Sequence, residues 1–495
     1  WTLADVGTRF LARLVRTATE HPGIGVIDLD DPAQTVHPVA SSAADTSPVP
    51  PPHVGVSTVT PAVTRLVRTA DQRRAVDRLC QLPARSVAVV EARRGRGKST
   101  TLAIAGMVLA REGARVVLTA RDRGHLAAAE DQLRALCDRV SDDRYLVDAG
   151  GSVAIAELDA GLPDGGGDIL MIDEAATVPI DRLWGLIGDR RVVLSTTTDG
   201  YEGTGAAFAV RLAARLRAAD VDYHHLTLSR PIRFAPSDPL ERWITRLLCL
   251  DAAPLRDLDH IVELAPMRTE AVSQQQLATD ESLLRGVRAL LADAHYQTTA
   301  ADVARWLDAP NIRLRVARAD PVIAGVAATA EEGRLDSQTI TTAVEGNHIP
   351  GQLFPEVFMR QYGDRRIGRL HTRRVLRVAV HPELRRRGVA TGLVDAVDGS
   401  PTPDGLTAVY GATPATVDFW TAVGFAPVHI AARPNPRSGV HSVFMIRPRS
   451  AAAREWAHHA EHAFMRRLPG LAPDHLRRMD PAVLVSICAA ASPQP

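Results

Sequence analysis

The chain has 495 residues, is 45% hydrophobic and carries a formal charge of +1. That length suits about three domains with sizeable cores, and a balance so close to neutral excludes a histone-like polycation while leaving room for a local arginine-lined groove. Four scattered cysteines (Cys80, Cys137, Cys249, Cys488) show no CxxC spacing, which argues against a zinc site or disulfide framework and fits a reducing cytosol. No stretch approaches the ~18 uninterrupted apolar residues of a membrane span, and no signal peptide is visible, so a cytoplasmic location is expected.

In chain order, residues 1–62 offer an amphipathic helix from Leu3 to Ala18. A short apolar, strand-like run follows at Gly23-Ile-Gly-Val-Ile-Asp28, then a proline-rich linker, Ser47-Pro-Val-Pro-Pro-Pro-His53. Residues 63–252 alternate apolar runs with helical segments. Val87–Glu91, Arg115–Thr119, Asp168–Asp173 and Arg191–Thr196 read as strands of a parallel sheet covered on both faces. Residues 253–450 read as a separate mixed α/β domain, with strands at Arg313–Ala317, Val322–Ala330, Arg374–Val380 and Thr407–Tyr410. Residues 451–495 read as a short helical tail bearing His458, His459, His462, Arg466 and Arg467.

Lys98 is the only lysine among the 58 basic residues. It sits in Ala92-Arg93-Arg94-Gly95-Arg96-Gly97-Lys98-Ser99, between a strand and a helix-compatible run. There an arginine would not serve, because a compact ammonium on a flexible stem reaches phosphate differently from a planar guanidinium. This is the context of a P-loop: backbone N–H groups cradle phosphate, the helix N-terminus adds its dipole and Ser99 can reach Mg²⁺. The first glycine of the usual pattern is replaced by Ala92, with Gly95 and Gly97 left to supply flexibility. Downstream, Ile169-Leu-Met-Ile-Asp173-Glu174-Ala-Ala is an apolar strand ending in two carboxylates. Asp173 is expected to hold Mg²⁺ and Glu174 to activate water against the γ-phosphate. Ser195-Thr-Thr-Thr198 is either a γ-phosphate sensor or a polar strand end. Gln72 either reads adenine or is a surface glutamine, and Arg233 either acts as an arginine finger or forms a structural salt bridge.

A second phosphate-binding pattern lies at Val375-Leu-Arg-Val378-Ala379-Val380-His381-Pro-Glu-Leu-Arg385-Arg386-Arg387-Gly388-Val389-Ala390-Thr391. A strand ends and a basic, glycine-containing turn opens a helix near Val389. The pattern resembles the GNAT acetyltransferases, and the resemblance implies a splayed strand for pantetheine and a turn for the CoA pyrophosphate. Phe419-Trp420-Thr-Ala-Val-Gly424-Phe425 supports it, the three rings reading as core rather than as contacts. His381 is a candidate base or positioning group, or a His-Pro turn that only ends the strand.

Arg94-Gly-Arg-Gly-Lys-Ser99, Asp173-Glu-Ala-Ala, Ser195-Thr-Thr-Thr-Asp-Gly-Tyr-Glu-Gly-Thr-Gly205, Pro231-Ile-Arg-Phe234 and Arg377-Val-Ala-Val-His-Pro382 together resemble the tRNA(Met) cytidine acetyltransferase family, in the same order. The resemblance runs from about Gln72 to Phe425, with shorter N- and C-terminal regions than the family usually has. Near Ala415 a family acid is absent. The resemblance implies a RecA-like P-loop ATPase domain followed by a GNAT domain, and ATP- and acetyl-CoA-dependent N4-acetylation of a cytidine in RNA, most naturally the wobble cytidine of elongator tRNA(Met). It implies ATP binding by Gln72, Arg94, Gly95, Arg96, Gly97, Lys98, Ser99, Thr100, Asp173 and Arg233. It implies acetyl-CoA binding by Val378, Ala379, Val380, Arg385, Arg386, Arg387, Gly388, Val389, Ala390 and Thr391. Two other readings stay open: a protein or small-molecule N-acetyltransferase with an ATPase module, and a degenerate paralogue that only binds RNA.

Overall fold

The computed structural model describes residues 6–27, 29–31, 66–141, 143–163, 167–198, 212–213, 215–253, 267–294, 300–320, 322–397, 399, 401–435, 439–477 and 479–491. The proline-rich linker and the Gly200–Gly205 block lie outside them. The chain forms two compact units.

Among the described residues the first unit runs from Ala12 to Asp251. Helix α1 (Arg9–Thr19) contributes Arg13, which is 2% exposed. Its Nε donates to the Leu247 carbonyl at 3.0 Å and Nη2 to the Arg246 carbonyl at 2.8 Å. A guanidinium thus satisfies carbonyls that the end of a helix leaves open. The apolar run from Gly23 forms no strand: Val26 makes an isolated bridge, and Ile27 is 73% exposed. It is too short to gain neighbours on both edges.

Helix α2 (Ala70–Cys80) starts at Thr69, whose side chain accepts from the Gln72 N–H. Then follow β1 (Val87–Ala92), α3 (Lys98–Arg111), β2 (Arg115–Ala120) and α4 (Ala127–Arg134). The short hairpin β3 (Arg139–Ser141) and β4 (Arg144–Leu146) leads to β5 (Ser152–Glu157), β6 (Ile169–Ile172), α5 (Ile180–Leu186), β7 (Arg191–Thr197), β8 (Tyr223–Leu228) and α6 (Pro239–Leu247). The sheet order is β3-β4-β5-β2-β6-β7-β1-β8, parallel from β5 to β8. Two strands, β6 and β7, lie between β1 and β2, which is the RecA-like arrangement. Val87, Val89, Leu170, Ile172, Val192 and Leu194 bury one face of the sheet, and Ala88, Val90, Val116, Leu118, Met171 and Val193 the other. Continuous Val/Ile/Leu runs are what a sheet covered on both sides needs.

The second unit begins with β9 (Arg268–Val272), α7 (Gln274–Thr279), α8 (Glu281–Ala294) and α9 (Ala300–Asp308). Next come β10 (Ile312–Ala319), β11 (Val322–Gly333), α10 (Ser337–Val344), α11 (Leu353–Tyr362), α12 (Arg366–Arg369) and β12 (His371–Val380). It closes with α13 (Val389–Ala396), β13 (Gly405–Gly411), α14 (Pro414–Ala422), β14 (Ala426–Ile430), β15 (Ser442–Pro448), α15 (Ala451–Leu471) and α16 (Pro481–Ala491). The order β14-β15-β13-β12-β11-β10-β9 is antiparallel except for the β12–β13 pair. This is the mixed sheet of a GNAT domain, and the tail after it is helical. Trp420 and Phe425 belong to its core, with ring centroids 4.8 Å apart. No helix among the described residues is long and apolar enough to cross a membrane.

Candidate functional sites

The parallel sheet delivers three strand ends to one place. β1 runs into the loop 93–97, β6 into Asp173-Glu174 and β7 into Thr197. In open parallel sheets the carboxyl ends of the strands, where the order switches, are where ligands bind. Gly95 and Gly97 have φ of 79° and 81°, a region that side chains rarely adopt. Ala92 ends β1 in strand pairing with Thr197 and Leu228, so a glycine is not needed there. Gly97 caps α3 without a side chain. The first N–H groups of the helix, at Lys98, Ser99 and Thr100, therefore lack intrahelical partners and face the loop.

Lys98 is 7% exposed; its Nζ donates to Thr197 Oγ1 at 2.7 Å and lies 3.3 Å from Glu174 Oε1. Thr197 Oγ1 is 2.6 Å from the same carboxylate oxygen. Glu174 holds φ at 47°, a conformation that non-glycine residues keep only where the surroundings over-determine it. Asp173 is 1% exposed and accepts from the Ser195 hydroxyl and from the Glu174 N–H at 3.0 Å, both on Oδ1. Its Oδ2 has no hydrogen-bond partner among the described residues. Burial, then the neighbouring Glu174 charge, push its carboxyl above the ordinary range, against Ser195, Ser99 and Lys98. A buried carboxylate with an unfilled oxygen beside a serine hydroxyl is a donor set that fits Mg²⁺.

The remaining nucleotide-site candidates fall into place around the loop, not all as expected. Gln72 is fully buried rather than on the surface, and both ends of its amide are used. Oε1 accepts from the Arg68 N–H at 2.9 Å, and Nε2 donates to the Gly97 carbonyl at 3.4 Å. It therefore braces the loop. The Arg96 side chain also points away from the phosphate position. Its Nε donates to the Ser229 carbonyl at 3.0 Å, and Nη2 lies 2.7 Å from the Glu241 carboxylate. Arg233 is near the loop, as its N–H donates to the Gly95 carbonyl at 3.1 Å. With Arg93, Arg94, Phe234, Glu241, Ile244, Thr245 and Leu250 it lines a cavity of about 280 Å³.

Asp71 drew no attention from its sequence. Its Oδ2 accepts from the Ser229 and Arg230 N–H groups at 2.7 and 2.9 Å. Burial pushes this carboxyl up, but those backbone donors outweigh it and hold it below the usual range. Asp71 thus ties α2 to the segment that carries Arg233. The only local signal was its place next to Gln72.

In the other unit, β12 parts from β13. The two strands pair only over Thr372–Val375 and Gly405–Ala408. Opposite β11 the register slips, so that Leu376 has no partner, a bulge that bends the strand. His381 N–H bonds to the Ala324 carbonyl, and the Ala379 carbonyl faces Gly325, so residues 379 and 381 turn toward β11. By alternation, Val378 and Val380 present N–H and C=O to the gap left by β13. After the strand, Gly388 (φ 79°) caps α13 with nothing within 4 Å of where its Cβ would stand. Arg385, Arg386, Arg387 and Thr391 are exposed around this turn, with Val389 buried and Ala390 half-buried. His381 is 3% exposed, and its Nδ1 accepts from the Glu383 N–H at 3.4 Å. It caps the turn Pro382–Leu384, a positioning geometry.

Comparison with known proteins agrees with this pair of domains. Residues 89–251 match the model of the RNA cytidine acetyltransferase NAT10/TcmA helicase domain, and residues 286–398 match that of GNAT acetyltransferase 2. The chain is 35% identical to the tRNA(Met) cytidine acetyltransferase TmcA of Haloferax volcanii, over 99% of its own length and 67% of that protein. The chain belongs to the tRNA(Met) cytidine acetyltransferase family. It is also 35% identical to the Haloarcula marismortui protein and 33% identical to that of Nitrosococcus halophilus, covering 98% and 97% of this chain and 65% of each relative. The chain thus spans about two thirds of the length of these family members.

Proposed function

We propose that the chain is an ATP-dependent RNA cytidine N4-acetyltransferase, its acceptor the wobble cytidine of elongator tRNA(Met). The observation that carries this is the presence in one family member of two intact sites: a P-loop facing Asp173-Glu174, and a splayed β12 facing a glycine turn. Cytidine N4 is a weak nucleophile because its lone pair is delocalised into the ring. Transfer from a thioester therefore needs the amine held in line and a proton removed as the new bond forms. The Val380 N–H, turned into the gap, would donate to the oxygen that gains charge. Val378 and Val380 would hold the pantetheine amides, and the turn Arg385–Thr391 the pyrophosphate. His381 sets the end of the strand through its cap.

In the nucleotide site, Lys98 and the N–H groups of Gly95–Thr100 would bind the phosphates. Glu174 would orient water, and Thr197, bonded to both Lys98 and Glu174, would report the γ-phosphate. Ser99 and Asp173 would hold Mg²⁺, which supplies charge neutralisation to the phosphates. The chemistry of acyl transfer does not itself consume ATP, so hydrolysis serves to move or unwind RNA until the cytidine is accessible. Incubation with labelled acetyl-CoA and ATP should place label in total tRNA and not in ribosomal RNA or basic peptides. Label confined to peptide would establish a protein acetyltransferase instead.

A further inference from the structure

The loop 93–97 is backed by a segment that belongs to no helix or strand. Residues 229–235 follow β8 and precede α6. They lie directly against the loop: a Cβ on Gly97 would stand 2.7 Å from Ile232 Cδ1, and one on Gly95 3.0 Å from Arg233 Cβ.

The carbonyls of the loop are tied on that outer side. The Gly95 carbonyl accepts from the Ile232 and Arg233 N–H groups at 2.9 and 3.1 Å. The Arg94 carbonyl accepts from Arg96 Nη1 at 3.2 Å. The Gly97 carbonyl accepts from the Thr101 N–H and hydroxyl, both at 2.8 Å, and from Gln72 Nε2 at 3.4 Å. A trans peptide is planar, with its N–H opposed to its carbonyl. Holding the carbonyls of Arg94, Gly95 and Gly97 outward therefore turns the N–H groups of Gly95, Arg96 and Lys98 the other way. The glycines themselves would not keep this orientation, because without a Cβ their flanking peptides rotate at little cost.

The backing segment is itself fixed at its first residues by two carboxylates. Asp71 is 5% exposed; its Oδ2 accepts from the Ser229 and Arg230 N–H groups, and its Oδ1 from the Gln72 N–H at 3.0 Å. The Ser229 carbonyl accepts from Arg96 Nε, and the Arg96 guanidinium is paired through Nη2 with Glu241 on α6. Hydrogen bonds to ionised groups are roughly twice as strong as neutral ones, so these two acids set where Ser229 and Arg230 sit.

We propose that Asp71 and Glu241 are positioning residues for nucleotide binding. Asp71 acts through Ser229 and Arg230, and Glu241 through Arg96, to hold Ile232 and Arg233 on the Gly95 carbonyl. The phosphate-binding N–H groups are thereby aimed before the nucleotide arrives, which removes part of the ordering cost of binding. This rests on the reading of the loop and α3 as an ATP site, and both acids act on the nucleotide only through the loop.

Steady-state ATP hydrolysis by the full chain with total tRNA present, beside calorimetric titration with ADP, tests it in wild type, Asp71→Asn and Glu241→Gln. Both substitutions keep the size of the side chain and remove its charge. Each should raise KM for ATP and the ADP dissociation constant roughly tenfold, the worth of a charge-assisted hydrogen bond. The kcat should change less than about twofold, because a cradle that grips the phosphates does so equally before and in the transition state. A purely structural role would instead lower kcat with the fraction of folded enzyme and leave KM where it was. If Asp71→Asn does not fold, the same split in Glu241→Gln decides. The proposal is overturned by KM and ADP affinity unchanged in the variants that fold, or by a loss confined to kcat. Wild type that binds no ADP would be a different failure, since it removes the ATP site on which the proposal stands.

Discussion

Asp173 carries the strongest electrostatic conflict in the nucleotide site. Its carboxylate is buried, is followed by Glu174 and has one oxygen without a partner among the described residues. Without a cation that charge opposes the fold, since desolvation of an unpaired carboxylate is costly. Asp173→Asn should therefore raise the stability of metal-free protein at neutral pH, by about 1 kcal/mol, while removing Mg²⁺-dependent ATP binding. Thermal unfolding with and without Mg-ATP reads both effects. A variant that is less stable than wild type without metal, yet still stabilised by Mg-ATP, would contradict the assignment. At this scale the sequence was informative where chemistry is local: Lys98, Ser99 and the Asp173-Glu174 pair are contiguous with the strands and helix that place them. It was uninformative for Gln72, Arg96 and Asp71. Their roles depend on Gly97, Ser229, Arg230 and Glu241, which only folding brings to them.

Among the elements, β12 and its following turn decide the second site. The turn at Gly388 needs a positive φ and leaves open space where a side chain would begin. Gly388→Glu meets no neighbouring atom and incurs only about 1 kcal/mol of left-handed backbone strain, so it should fold, while its carboxylate would oppose a pyrophosphate at the helix N-terminus. Acetyl-CoA affinity should fall roughly hundredfold, the worth of two charge-assisted hydrogen bonds, with ATP affinity unchanged. Equal CoA affinity in a calorimetric titration would remove the turn from the site. The turn was legible as a motif, whereas the splay was expected only through the family resemblance and its position was not readable from the residues. It depends on the bulge at Leu376 and on where β13 stops pairing, and register is set by partners distant in sequence.

The tail helix makes a second element-scale prediction. α15 packs on β14 and β15. Arg467 lies over the Tyr362 ring at 4.1 Å, and the Tyr362 hydroxyl is 2.7 Å from His429 Nδ1. Burial, then the Arg467 charge, bring His429 down from 6.5 to about 4. Between those values the unfolded chain binds a proton that the folded chain refuses, so stability present above pH 6.5 is lost as pH falls toward 4. The loss attributable to this group is at most about 3 kcal/mol. His429→Gln, which keeps an acceptor for Tyr362, should lose less stability than wild type in denaturant unfolding between pH 7 and pH 4.5. Equal losses would show that His429 does not control this range.

At the scale of the whole molecule, two sheets of different topology each lead into a glycine-capped helix N-terminus, one at Gly97 and one at Gly388. The change from parallel to mixed sheet was visible in the sequence, because buried parallel strands are short continuous apolar runs. The strand orders were not visible, nor were β8, β9 and β14, whose apolar runs are brief or interrupted by polar residues, and β3, β4, β5 and β15 also went unread. The central claim is that the two sites serve one reaction. Nucleoside mass spectrometry of digested tRNA tests it most directly, after incubation with ATP and acetyl-CoA and wild type, Lys98→Ala or Gly388→Glu. The account predicts N4-acetylcytidine with wild type, none with Gly388→Glu, and a marked loss with Lys98→Ala at unchanged acetyl-CoA affinity. Acetylcytidine formed equally by wild type and Lys98→Ala, or by none of the three, would contradict it.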